Sequence, residues 1–442
     1  MTVQVCDALC GAGKTSAAIR MMNERTDERF IFVTQYVTET TRIKNSCLAC
    51  NFQCPQGDEE MGQTKLSDVH RLMREGCNIA TTHSLFSTYT EEMKELITQQ
   101  QYILVLDEAI DVLTMTDIQR NDMDILIKSQ SVREENGFIE WINTDYQDSE
   151  GGRFREEMMK AKSKNLLKYD DSYYFWSIPP ELFRCFKEAY VLTYMFEAQE
   201  IRCFFEMHEI PYVLIGTHKV DGGYEFCSIE QMDRRRELRD KIHILDHDRL
   251  NAIGDKRTAL SVTWYKSAEN SDDEEDNIDR LRKNLGNLFK NIWSVPASAV
   301  MWTTYKENQE SLKGKGYESA FVSYNKRASN EYASRTHLAY CVNNFPRPWE
   351  MKYFREHGTE INGDMYALSI LVQWLFRSAI RNDKEVWVYV PSARMRSLLM
   401  TWLDNLAEGR DLESITYVSP RKKYYVPKKA RKNHKEGRIL HK

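Results

Sequence analysis

Short apolar runs recur through the first half of the chain, each bounded by polar or glycine-containing segments. They fall at Val3 and Val5, then at residues 30–34, 77–86, 102–106, 189–196 and 211–216. Runs of this length, apolar throughout, read as strands buried on both faces. Between them lie stretches with helical spacing, as at 16–22 and 39–44. Strands separated by helices predict a parallel α/β sheet flanked by helices. From 114 to 187 the pattern changes. Polar clusters at 133–137 and 147–152 flank an aromatic segment, and Tyr173-Tyr174-Phe175-Trp176 follows. This reads as an insertion with a small aromatic core of its own; a surface for stacking bases is the alternative. The charged run 233–240 marks a boundary. Beyond it the pattern predicts strands at 241–245, 259–264, 299–304, 319–323 and 386–390, and helices at 279–289 and 366–376. The expected organisation is a first α/β lobe over 1–235 with an insertion at about 114–187, a second over 236–418, and a tail over 419–442.

Composition adds the setting. Hydrophobic residues make up 42% of 442, and no apolar run approaches membrane-spanning length, so no membrane segment is expected. The N-terminus lacks the pattern of an export signal. Ten scattered cysteines then imply reduced thiols and a cytoplasmic protein, in the host cytoplasm if the chain is viral. Cys47, Cys50, Cys54 and Cys77 reproduce neither zinc nor iron–sulfur spacing, and are expected as free thiols without metal. Net charge is only −5, yet ten Lys and Arg against one Glu lie between Arg421 and Lys442. Such a tail neutralises phosphates, and Tyr424 and Tyr425 offer faces for bases; a solubilising end is the alternative. The acidic block 272–276 reads as solvated surface.

The chemistry is carried by three segments. Ala8-Leu9-Cys10-Gly11-Ala12-Gly13-Lys14-Thr15 sits between a strand and a helix, where a phosphate-binding loop belongs, with Ala8 in place of the usual first glycine. Gly11, Ala12, Gly13, Lys14, Thr15 and Ser16 would bind the phosphates of ATP through backbone N–H groups and the Lys14 ammonium. The second segment ends the run 102–106 in Asp107 and Glu108. Thr15 and Asp107 would hold Mg²⁺, and Glu108 would polarise the attacking water. In the third, Gln373, Arg377 and Arg381 recur every four residues, which on one helix gives a shared face. Gln can orient water, and a guanidinium can neutralise charge on the transferring phosphoryl group.

With these segments in hand, the chain resembles the superfamily 2 helicases and translocases, particularly the compact helicase-like proteins of bacteriophages. The resemblance runs from about Val3 to Trp402. Ala8 to Thr15 is similar to motif I, Asp107-Glu108-Ala109-Ile110 to motif II, Leu192-Thr193-Tyr194 to motif III and Gln373, Arg377 and Arg381 to motif VI. Ala328 to Arg335 is the best counterpart of motif V. Thr34, Thr82 and His83 stand where the family contacts the nucleic-acid strand. The resemblance implies two RecA-like lobes with parallel sheets, an ATP site in the cleft between them, and single-stranded nucleic acid crossing both. The arginine gap is four where motif VI usually has three, which leaves open whether Arg377 or Arg381 is the finger.

The resulting expectation is an ATP-dependent helicase or translocase. Its substrate would be DNA, single-stranded or forked, and its partners replication or recombination proteins of a phage or mobile element. A viral DNA-packaging ATPase and a non-translocating ATP switch are the rivals. Stimulation of ATP turnover by DNA separates the first two from the third, and metal-dependent cleavage separates packaging from helicase action.

Overall fold

The computed structural model describes the chain except residues 58–63, 136, 146–152, 164, 171–172, 270–276, 326–330, 411, 413 and 419–442. The basic tail, the acidic block, the cluster 147–152 and the start of the motif V candidate thus lie outside the described residues.

Seven strands form the first sheet, in the spatial order Gly223–Cys227, Tyr212–Val220, Val3–Asp7, Glu188–Thr193, Ile103–Asp107, Phe30–Thr34 and Ile79–Thr82. All neighbours are parallel except the edge hairpin Tyr212–Val220 with Gly223–Cys227. Phe30, Ile31, Phe32 and Val33 are fully buried, as a strand covered on both faces requires. Register pairs Asp7 with Thr193, and Leu192 with Asp107. Three strand ends therefore lie side by side at the carboxyl edge, where open α/β sheets bind ligands.

The second sheet has four parallel strands in the order Ile242–Ile244, Val386–Tyr389, His337–Tyr340 and Val300–Thr303. Two expected strands are absent from it. At 259–264 the chain turns through Leu260 (φ +65°), and Ser261 opens the helix Val262–Glu269 by accepting from Trp264 N at 3.3 Å. At 319–323 it forms a 3₁₀ turn, Glu318–Ala320, and one bridge from Phe321 to Trp302. The strand His337–Tyr340 takes the inner position instead.

Between Ile103–Asp107 and Glu188–Thr193 lies a five-stranded antiparallel sheet, ordered Leu113–Met115, Tyr173–Ser177, Leu166–Tyr169, Phe138–Trp141, Val132–Glu135. Its aromatics divide. Trp141 and Tyr174 join a local core with Met123, Leu126 and Ile139. Phe175 instead stacks on Trp349 of the second lobe, with centroids 4.5 Å apart and planes 18° apart. Lys352 Nζ adds an ion pair to Asp170 at 2.6 Å, and the Tyr169 hydroxyl bonds Glu356.

The lobes share a core. Leu9, Tyr194, Met195 and Ala198 of the first lobe are buried among residues of the second. Trp402 Nε1 donates to the Tyr194 hydroxyl at 2.9 Å. The turn carrying Tyr194 is held by Asp7, whose carboxylate accepts from Met195 N at 2.7 Å and Phe196 N at 3.0 Å. No helix among the described residues is long and apolar enough to cross a membrane.

Candidate nucleotide site between the lobes

The strand Val3–Asp7 feeds a loop that turns at Gly11 (φ +83°) and Gly13 (φ +79°) before the helix Lys14–Glu24. Both glycines occupy left-handed backbone, which a Cβ disfavours. The loop opens on a cavity of about 520 Å³, within the range of small-molecule sites. Gly11, Gly13, Lys14, Thr15 and Ser16 line it, whereas Ala12 packs toward the second-lobe core. Lys14 Nζ donates to two carbonyls of the loop itself, Ala8 O at 2.5 Å and Leu9 O at 3.2 Å. Neutral carbonyls are weaker partners for an ammonium than phosphate oxygens, so an incoming polyphosphate can draw Lys14 off them.

Across the loop, Thr15 Oγ1 donates to Asp107 Oδ1 at 3.1 Å. Burial, and then the neighbouring Glu108, push the Asp107 carboxyl from 3.8 up to about 7; the Thr15 bond and Lys14 oppose this. A hydroxyl and a carboxylate this close are a donor set suited to a hard divalent cation. Glu108 follows with φ +67°, unusual for a side-chain-bearing residue, and its N–H is held by Leu192 O at 2.9 Å. Strain of this kind persists where surrounding structure fixes it. Here it turns Glu108 onto the cavity wall.

Gln373, Arg377 and Arg381 all line this same cavity from the second lobe, but not as one helical face. The helix Gly363–Leu375 carries Gln373 and ends there, the chain turning at Phe376 and Arg377. Arg377 follows in the turn and is buried, while Arg381 is exposed on the 3₁₀ turn Ala379–Asn382. The three residues therefore share no helical face, contrary to their spacing, although their side chains still border one cavity.

The expected strand-contacting residues separate. Thr34 is buried and lines the cavity. Its register partner Thr82 caps the helix His83–Phe86, accepting from Leu85 N at 3.4 Å. His83 Nε2 lies 3.1 Å from the Asp107 carbonyl, so it donates there and braces the strand end from below. Cys10, inside the loop motif, also lines the cavity, as do Arg42 and Tyr224, which carry no motif that would reveal them. Burial pushes the Cys10 thiol up, which keeps it protonated. Cys47 and Cys50 are buried behind the helix Lys14–Glu24, where Cys50 Sγ donates to Met22 O at 3.0 Å.

Residues 236–403 match the family described as the YonV C-terminal Rossmann-like domain, and residues 113–176 the YonV middle domain. The SPbeta prophage-derived uncharacterized protein YonV of Bacillus subtilis (strain 168) is 39% identical over 416 residues, 91% of this chain and 99% of that protein. The chain belongs to the YonV family. Among solved structures it is similar to an XPD helicase (TM-score 0.42, 11% identity, covering 93% of this chain and 95% of that one). It is also similar to Xpd4 of S. tokodaii (TM-score 0.46, 12% identity, 94% and 96% covered).

Proposed function

We propose that this chain hydrolyses ATP between its lobes and uses the cycle to move on DNA, as a helicase or translocase of superfamily 2 type. The observation that carries the reading is the Thr15–Asp107 contact at 3.1 Å, made beside Glu108 in a cavity that Gln373, Arg377 and Arg381 border from the other lobe. Phosphoryl transfer needs these parts and little covalent chemistry from the protein. Lys14 and the loop N–H groups bind the phosphates. Thr15 and Asp107 would hold Mg²⁺, which when bound neutralises phosphate charge. Glu108 orients water and takes its proton as the water oxygen bonds to the γ-phosphorus and the bond to the β–γ bridging oxygen breaks. Gln373 and an arginine, Arg381 by preference, steady the charge on the transferring group.

Of Thr34, Thr82 and His83, the latter two are proposed on the nucleic-acid side, while Thr34 lies on the wall of the ATP cavity; the basic tail would add sequence-independent affinity. The prophage origin of the relative supports a role in phage or mobile-element replication or recombination, in the host cytoplasm. The test is the ATPase rate of the purified protein alone and with single-stranded DNA, duplex DNA and RNA. Stimulation by DNA supports the proposal. Turnover indifferent to all three makes the protein an ATP switch, and DNA cleavage dependent on added metal makes it a packaging enzyme.

A further inference from the structure

We infer that Tyr224 is the platform on which the base of the nucleotide stacks, an assignment that rests on the ATP-site reading above. From the loop-bearing strand Val3–Asp7, the sheet runs one way through Glu188–Thr193 to Ile103–Asp107, which carries Asp107 and Glu108. The other way it runs through Tyr212–Val220 to Gly223–Cys227, which carries Tyr224. A triphosphate whose γ end reaches Asp107 and Glu108 must lead its base toward the opposite side of the loop. Tyr224 is the aromatic that lines the cavity from that side.

The local geometry fits. Tyr224 and Phe226 are two apart on one strand and so share a face. Phe226 stacks on Tyr190, centroids 5.5 Å apart, and belongs to the core beneath the helix Lys14–Glu24. Tyr224 lies nearer the start of that helix, with its ring against the loop. A Cβ built on Gly13 would stand 2.1 Å from Tyr224 Cγ, so the ring packs flush with the backbone that binds phosphate. The hairpin is fastened to the loop by Thr217 Oγ1, which donates to Ala12 O at 2.6 Å. The ring is half-buried rather than sunk in core. Among the described residues it therefore presents a flat apolar surface, anchored beside the phosphate loop and open to the cavity. Bases of every kind stack on such rings.

The test compares ATP with inorganic tripolyphosphate, which has the phosphates and no base. Affinities are measured for the wild type, Tyr224→Ala and Tyr224→Phe. The expected result is a loss of ATP affinity on the order of 10- to 100-fold in Tyr224→Ala, near-normal affinity in Tyr224→Phe, and tripolyphosphate affinity unchanged in both. Equal losses for both ligands overturn the inference, since Tyr224 then only shapes the loop. Tighter binding of both overturns it too, because the ring would be a cover. Undiminished ATP binding by Tyr224→Ala does the same. A wild type that takes neither ligand removes the phosphate site itself and this inference with it.

Discussion

Replacing Asp107 with Asn should make the ligand-free protein more stable at pH 8 while removing its capacity to hold a divalent cation. Asn keeps the shape, and its Oδ1 can still accept from Thr15, so the change isolates charge. The carboxyl stands at about 7 against 3.8 for an unburdened Asp, with burial the first cause and Glu108 the second. A carboxyl raised in the folded state binds its proton more tightly there than in the unfolded chain. Stability therefore falls as pH rises from about 3.8 to about 7 and stays lower above that window. About three units at about 1.4 kcal/mol each would amount to roughly 4 kcal/mol in a closed site. Asp107 opens onto the cavity, and screening by water there lowers the expected gain for Asn to about 1–2 kcal/mol. For a lobe of this size that is a rise of roughly 2–5 °C in Tm. The assay is thermal unfolding of both proteins at pH 5, 6.5 and 8, without nucleotide or divalent metal. The difference should be smallest at pH 5 and largest at pH 8. An Asn variant no more stable than wild type at pH 8, or a gap that does not shrink with acid, would refute the reasoning.

Lys14→Ala should abolish ATP turnover with the fold intact, and Glu108→Gln should retain ATP binding while losing hydrolysis by orders of magnitude, both read by single-turnover assay and equilibrium binding. Arg377→Ala and Arg381→Ala, made separately, should depress turnover and leave ATP affinity near normal; full activity in both would take the second lobe out of the reaction. Trp402→Phe removes the bond to the Tyr194 hydroxyl inside the shared core and should lower stability by about 1–3 kcal/mol, measured by urea unfolding, with the transition losing cooperativity between lobes. Deleting the tail from Arg421 onward should leave basal ATPase activity unchanged and flatten the fall of log DNA affinity with log salt.

The parts of this molecule legible in its sequence are those where local pattern and tertiary role agree. Phe30–Thr34 and Ile103–Asp107 are uniform apolar runs, and each is a central strand buried on both faces. The loop from Ala8 to Thr15 and the acids at 107 and 108, far apart in sequence, do meet at one cavity, where Thr15 bonds Asp107. Pattern misleads where one side-chain bond overrides it. Ser261 caps a helix inside what reads as a strand. The helix carrying Gln373 also ends at Leu375, short of the Arg377 and Arg381 whose spacing would continue it. The strand His337–Tyr340 escapes because only three of its four residues are apolar and polar Thr336 and His337 stand at its start. Tyr224 escapes for another reason. Its role comes from lying two strands from the loop in space, more than two hundred residues away in sequence.

Leu9 and Tyr194 give the protein a fulcrum. Each comes from the first lobe, Leu9 in the loop from Ala8 to Thr15 and Tyr194 in the turn braced by Asp7, and each is sunk in the core of the second. Pulling the lobes fully apart would expose Leu9 and Met195 at roughly 1.5–3 kcal/mol apiece, besides the tyrosine and its bond to Trp402. Rotation about this greasy pin exposes far less. A shift of the loop from Ala8 to Thr15 would then bear on the second lobe directly through Leu9. Any movement that keeps this pin buried would hold the distance between the lobes nearly constant and change the angle between their two sheets.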